Sequence, residues 1–330
     1  MCPIWKRKPF LGFGIGVGVL GALALALRHR QRRDQGRIPD QISPAIFSTR
    51  VAATSQGEIV YHICGSGTPI VFLHGFFLGA SSYEWSKVYA QFALRHEVIA
   101  PDLIGFGESE RPAEALDAVD HVESLVGLLH EVVGTRPVTL VASGAGANVA
   151  LLLAARHPEL IARLELFLPS SLQDEAKIRT MGLIGKSRIP GITRLVYRRH
   201  LAQPSFIRGW LSRSGFADPQ KITDETVDVL STCAQQYGAE HAIFSFLKNR
   251  RSFDVSTRLA DIVCPVHILW PGRASGFYPA EVTALCRSLP RASMEVLPEA
   301  SAFAAMESPA EIAASLSRWI DGDLVNLQSD

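Results

Sequence analysis

VTLVASGAGANVALLLAARHP, residues 138–158, decides the fold. VTLVAS is a short apolar run rich in β-branched residues, the composition of a buried strand. Residues 147–157 are mostly alanine and leucine, strong helix formers. Between the two lie glycines and alanines only, small enough for a turn in which a strand feeds directly into a helix. The same alternation continues outward in both directions. Upstream, AIFSTRVAAT (45–54), EIVYHIC (58–64), PIVFLHG (69–75) and HEVIAPD (96–102) read as strands, with helices expected over 83–94 and 119–133. Downstream, RLELFLP (163–169), CPVHILW (264–270) and SMEVL (293–297) are strands, with a helix around 279–289 and a closing helix PAEIAASLSRWI (309–320). Strands alternating with helices imply an α/β domain: a mostly parallel twisted sheet with helices on both faces.

Residues 171–251 interrupt this alternation. The stretch reads as helical, broken at Pro190-Gly191, Pro204 and Gly238, and carries thirteen Lys and Arg against seven Asp and Glu. A helical insertion in such a sheet is expected to form a cap over the ligand crevice, dividing the core into 42–170 and 252–330. Its basic residues, among them Lys177, Arg179, Lys186, Arg188, Arg194, Arg198, Arg199 and Arg208, would face a pocket, anionic lipid or solvent.

The chain has 330 residues, is 47% hydrophobic and carries a formal net charge of +1. Nucleic acid is not an expected partner, because phosphate binding needs a dense basic face. The five cysteines (Cys2, Cys64, Cys233, Cys264, Cys286) are scattered, with no CxxC pair and no metal-ligand spacing. Neither a disulfide framework nor a metal or cofactor is expected. Phe10 to Leu27 contains no charge, and as a helix it would span roughly 27 Å, enough for a bilayer core. Basic residues flank it, more of them after than before, so 1–27 is expected to be a single-pass anchor with the globular part on the cytoplasmic side. Residues 28–41 would be the linker. A cleaved signal peptide is the competing reading, disfavoured by the arginines directly after the apolar run.

Four blocks, in order, make the chain resemble the α/β-hydrolase superfamily. FLHGFFLGASSYEW (72–85) is similar to its His-Gly turn after the third strand, and VIAPDLIGFGES (98–109) to its Asp-x-x-Gly-x-Gly-x-Ser segment. VTLVASGAGANVALLLAARHP fills the strand–elbow–helix slot, and VLPEASAFAAMESPAEIAASLSRWI (296–320) resembles the last strand and helix. SSYEW and IAPDLIGFGES look closest to the haloalkane dehalogenase and epoxide hydrolase branch. The resemblance implies an α/β-hydrolase fold, a nucleophile at the elbow, an acid after a late strand, and a histidine before the last helix.

At each of those positions this chain departs from the pattern. Gly144 stands at the centre of the elbow Ala142-Ser143-Gly144-Ala145-Gly146, where the family carries its nucleophile. Ala274, in Leu269-Trp270-Pro271-Gly272-Arg273-Ala274-Ser275, stands where the acid is expected. Ala302, in Ser301-Ala302-Phe303, stands where the imidazole is expected. Halide-binding groups are missing too, since Phe76 and Ala145 occupy the dehalogenase positions. Without nucleophile and base the family's chemistry fails. The surrogate candidates are Ser143, His74 and Glu165, the last matching an alternative acid position one strand earlier. The bland reading makes Ser143 a buried hydroxyl bonded to backbone, His74 a structural imidazole below the turn, and Glu165 a satisfied carboxylate. Asp102, Gly105, Gly107 and Ser109 are assigned to turn geometry, and His157 and His267 to structure.

A ligand site is expected at Gly75, Phe76, Phe77, Gly144 and Ala145, with Phe76, Phe77 and Leu78 as an apolar floor and the Phe76 and Ala145 amides as an oxyanion hole. The function implied is a membrane-anchored pseudoenzyme that binds a hydrophobic small molecule, a lipid or a protein partner. The rivals are an active esterase-like or lipase-like serine hydrolase with Ser143 as relocated nucleophile, and an interaction scaffold without a pocket.

Overall fold

A computed structural model describes residues 42–169, 192–274 and 279–327. The expected anchor (1–27), the linker (28–41) and the first part of the expected cap (171–191) lie outside them. No helix among the described residues is long and apolar enough to cross a membrane.

Eight strands build one sheet: β1 Ser48–Thr54, β2 Gly57–Cys64, β3 Thr68–Leu73, β4 His96–Pro101, β5 Val138–Ser143, β6 Ile161–Phe167, β7 Val266–Pro271 and β8 Ala292–Leu297. Their spatial order is β1-β2-β4-β3-β5-β6-β7-β8. β1 pairs antiparallel with β2, and β2 with β4; every pairing from β4 to β8 is parallel. The central strands read as unbroken apolar runs because both faces are covered; β3 is buried from Pro69 to Leu73 and β7 throughout. The two outer strands β1 and β8 are largely exposed and carry the polar residues.

The connecting helices are α1 Ala118–Val132 and α2 Gly144–Arg156. Asp117 caps the start of α1 with a capping box: its side chain accepts from the amides of Val119 and Asp120, and the Asp120 side chain accepts from the Asp117 amide. In α2 every residue from Ala145 to Ala154 is buried, which explains why it is apolar except for Asn148, whose side-chain amide donates to the Phe253 carbonyl. Beyond β6 the described cap supplies α3 Pro204–Trp210, α4 Asp224–Gln235 and α5 Ala239–Asn249; α6 Pro279–Ser288 and α7 Pro309–Leu327 return to the sheet. A second apolar cluster joins cap residues Tyr197, Leu201, Ile207, Leu211, Val229 and Leu230 to Leu78, Tyr83, Phe303 and Met306. The cap therefore rests on the turn after β3 and on the loop after β8.

Two expected helices differ in detail. The stretch 83–94 is not one helix but a 3-10 turn Ser82–Trp85, one α-turn Ser86–Tyr89 and a second 3-10 turn Ala90–Leu94. Tyr83, Glu84 and Trp85 are consecutive and all buried, a demand that a helix with one buried face cannot meet. α2 begins at Gly144 rather than 147, so the sharp turn is itself the first turn of the helix.

Candidate active site

Ser143 closes β5 in extended conformation (φ −118°, ψ 153°), and Gly144 then turns the chain at φ +52°. That left-handed backbone favours glycine, and it aims whatever stands at the apex away from both strand and helix. A Cβ placed on Gly144 would have one heavy atom within 4 Å outside its chain neighbours and its own helix, the Gly75 Cα at 3.7 Å. Gly146 is different: a Cβ there would overlap the His74 carbonyl oxygen. The helix thus passes against the His74-Gly75 turn as closely as backbone allows, while the apex has room for a side chain that the sequence does not supply. Ala274 is buried after β7, and Ala302 is half-buried on the loop after β8, packed against both apolar clusters.

Sequence reasoning missed the group that organises this turn. Glu84 is 3% exposed, and its carboxylate accepts the Gly75 amide at 2.7 Å through one oxygen and the Ser143 hydroxyl at 2.7 Å through the other. It ties the turn after β3 to the end of β5. Burial pushes the Glu84 carboxyl up to about 7, against the two hydrogen bonds, which favour the ionised form. A signal was present: between Glu58 and Lys87, Glu84 is the one Asp, Glu, Lys or Arg. Its neighbours lock it in place. The Ser82 amide donates to Asp102 at 2.6 Å, and the Trp85 indole donates to the Leu73 carbonyl at 2.9 Å.

The surrogate candidates go to separate partners. Ser143 is bonded to a carboxylate, not to backbone as the bland reading had it, and is 3% exposed. His74 accepts the Leu103 amide on Nε2 (3.0 Å), which leaves Nδ1 protonated to donate to the Gly75 carbonyl (2.8 Å). Its burial lowers the imidazole below its ordinary range. Both nitrogens are engaged, and neither is directed at Ser143. Glu165, wholly buried, faces His267 across β6 and β7, with both carboxylate oxygens 3.1 Å from Nδ1, and that ring stacks on Trp319 of α7. Burial raises Glu165 to about 7. A further imidazole, His121 of α1, packs edge-on against Phe76, and burial lowers it to about 3. It is neutral at physiological pH, and too weak a base to accept a proton there.

The aromatic residues of the turn diverge. Phe76 packs against Phe106, His121, Phe246 and Phe253, whereas Phe77 meets Phe303 (centroids 4.9 Å apart) and Trp210 of the cap (6.2 Å). Trp210 and Phe303 are themselves 5.2 Å apart, so the three rings form a triangle joining turn, cap and the Ala302 loop. Both phenylalanines are half-buried. The Phe76 and Ala145 amides make no hydrogen bond among the described residues. The Asp102 turn is conformational: Asp102 accepts from the Ser82 and Glu108 amides, Ser109 donates to the Asp102 carbonyl, and a Cβ on Gly107 would overlap the Asp102 carboxylate.

Sheet order, elbow and inserted helices define an α/β-hydrolase scaffold. The chain belongs to the alpha/beta hydrolase family, whose profile matches residues 70–315. Among curated relatives it is 38% identical to 2-hydroxymuconate semialdehyde hydrolase of Pseudomonas sp. (strain CF600) over 38% of this chain and 44% of that protein. It is 34% identical to haloalkane dehalogenase of Agrobacterium fabrum over 32% of this chain and 34% of that one. The chain thus spans less than half the length of these relatives. Among solved structures, the epoxide hydrolase CorEH superposes with a TM-score of 0.72 at 19% identity, covering 84% of this chain and 99% of that one; this is a likeness of fold.

Proposed function

We propose that this chain is a non-catalytic member of its family that binds a hydrophobic small molecule or lipid at the elbow. The observation that carries the reading is the apex residue, Gly144. Its backbone makes the left-handed turn of a nucleophile position, where a Cβ would meet only the Gly75 Cα at an ordinary 3.7 Å, but it brings no attacking atom. Ala302 and Ala274 supply neither base nor acid. What supports a binding role is the combination of half-buried Phe77, beside Trp210 and Phe303, with the unbonded amides of Phe76 and Ala145, an apolar surface with two polar anchors. The uncharged segment 10–27 with its basic flanks supports attachment to a membrane with the globular part on the cytoplasmic side.

One observation favours a second reading, an active serine hydrolase. The Ser143 hydroxyl donates to a carboxyl held near neutral pH, which is the relation of a nucleophile to its base. Against it, both groups are 3% exposed, and a Cβ added to Gly75 would lie 3.2 Å from the Ser143 oxygen. The attacking atom is covered by the turn it would have to serve.

A fluorophosphonate probe separates the two, alongside turnover of p-nitrophenyl butyrate and decanoate. No labelling, no turnover and a rise in melting temperature with oleate are expected for the binder. Labelling at Ser143, lost in Ser143→Ala, overturns the reading.

A further inference from the structure

Three side chains gather where β2 meets the turn after β4, away from the elbow apex. They are His62 of β2, Asp102 just beyond β4 and Glu108 in the turn. Their donor atoms all lie within 4.8 Å of one another, and His62 Nε2 is 3.8 Å from the nearer Glu108 oxygen. We propose that His62, Asp102 and Glu108 form a binding site for one divalent cation of the zinc class.

The three donor groups are near enough to share one ion after side-chain adjustment. Ligands about 2.0–2.2 Å from a tetrahedral metal stand roughly 3.3–3.5 Å apart, so donor atoms now within 4.8 Å of one another must draw inward around the ion. The His62 side chain supplies the independent sign of a missing partner. The residue is 2% exposed, yet Nε2 is fully buried and has no hydrogen-bond partner. A buried polar atom left unmatched is destabilising, and such atoms are rare enough in folded proteins to need a cause. The other ring nitrogen is held: Nδ1 lies 3.0 Å from the Thr49 hydroxyl, its register partner on β1. Ligating histidines are oriented in this way, with one nitrogen fixed by an oxygen and the other presented to the metal.

The carboxylates are similarly prepared. Asp102 takes one backbone amide on each oxygen, from Ser82 and Glu108, which leaves a lone pair on each for a cation. The Glu108 side chain is held 28% exposed, bringing a second carboxylate to the same place. Arg111, whose guanidinium bonds the Gly107 and Ser109 carbonyls, offsets one of the two negative charges. One remains. One imidazole and two carboxylates are a donor set that suits zinc and its neighbours. The residues come from two distant stretches of chain, so no local ligand spacing announces the site.

A cation here would clamp the 102–109 turn to β2. That turn in turn supports the His74 ring through the Leu103 amide, so the clamp stiffens the elbow's surroundings without entering them.

The test uses untagged full-length protein in detergent, stripped with EDTA and titrated with zinc chloride alone. Calorimetry and metal analysis should give one zinc per chain retained after dialysis, with a rise in melting temperature of several degrees. Cobalt chloride should give visible d–d absorption of a low-coordinate site. Glu108→Gln, a partly exposed change that leaves the fold intact, should weaken zinc binding at least tenfold, and His62→Phe should abolish it. Substoichiometric zinc, or binding unaltered in Glu108→Gln, overturns the proposal. So does a stripped protein in which His62 titrates as a simple ion pair with Glu108 and zinc changes nothing.

Discussion

Replacing Glu84 by Gln tests how the turn and the elbow are held together. The variant keeps shape and burial but cannot ionise. In the native chain burial moves the carboxyl from its ordinary 4.5 to about 7, and that displacement corresponds to about 3 kcal/mol of coupling between protonation and folding. The sign follows from proton uptake. Between pH 4.5 and 7 the folded chain keeps a proton on Glu84 that the unfolded chain has released. The contribution is therefore present in full below 4.5, falls as pH rises, and is lost above 7. Other buried groups titrate as well: Glu165 acts in the same direction, whereas His62, His74 and His121, all lowered by burial, act in the opposite one. They are common to both proteins and cancel in the difference. Urea unfolding followed by tryptophan fluorescence at pH 5, 6, 7 and 8 measures that difference. The stability of the native chain relative to Glu84→Gln should decline by about 2–3 kcal/mol across this range, with most of the change below pH 7. A difference that stays flat, or grows with pH, refutes the assignment of Glu84 as a buried, near-neutral acid.

Gly144→Ser should fold with a loss of about 1–2 kcal/mol, the cost of an L side chain in left-handed backbone, because the space above the apex is open; with Ala302 in place of a base, its ester turnover should stay at background. Gly146→Ala should lose more, about 3 kcal/mol, since the added methyl meets the His74 carbonyl, which cannot swing aside; urea midpoints rank the two. Glu165→Gln should cost about 2–4 kcal/mol by weakening the buried pair with His267, yet leave oleate-dependent stabilisation unchanged, which thermal melts would check. Trp210→Ala removes one ring from the triangle with Phe77 and Phe303; it should sharply reduce that stabilisation while far-UV circular dichroism is preserved.

Strands were the legible part of the chain. β3, β5 and β7 announce themselves because strands covered on both faces must be apolar throughout, and GAG after VTLVAS marks the elbow because Gly144 turns left-handed and Gly146 admits no Cβ beside the His74 carbonyl. The identities of Gly144, Ala274 and Ala302 were equally plain, since each stands in an otherwise preserved frame. The partners of polar side chains were not. Nothing local to Ser143 identifies its partner, a carboxylate 59 residues away. Glu84 lay inside SSYEW, whose tyrosine and tryptophan drew the reading toward scaffold. Hydrogen bonds between distant strands depend on which residues the sheet order brings together, and β3 lies between β4 and β5. That order cannot be counted along the chain. The same reason hid the meeting of His62 with Asp102 and Glu108.

The sharp elbow turn is formed in this chain with glycine at its apex, and its neighbours explain why. Strain does not explain it, because glycine at φ +52° removes the penalty that a side chain would bring there. Packing does. Gly146 touches the His74 carbonyl, Gly75 lies over the Ser143 hydroxyl, and Glu84 bonds both the Gly75 amide and Ser143. These contacts fix the distance between β5, α2 and the turn after β3 whether or not the apex carries an attacking atom. The core therefore depends on Gly146, Glu84 and Ser143, whereas Gly144 is held by nothing except its backbone angle. A scaffold arranged in this way keeps its packing around the elbow with glycine at the apex.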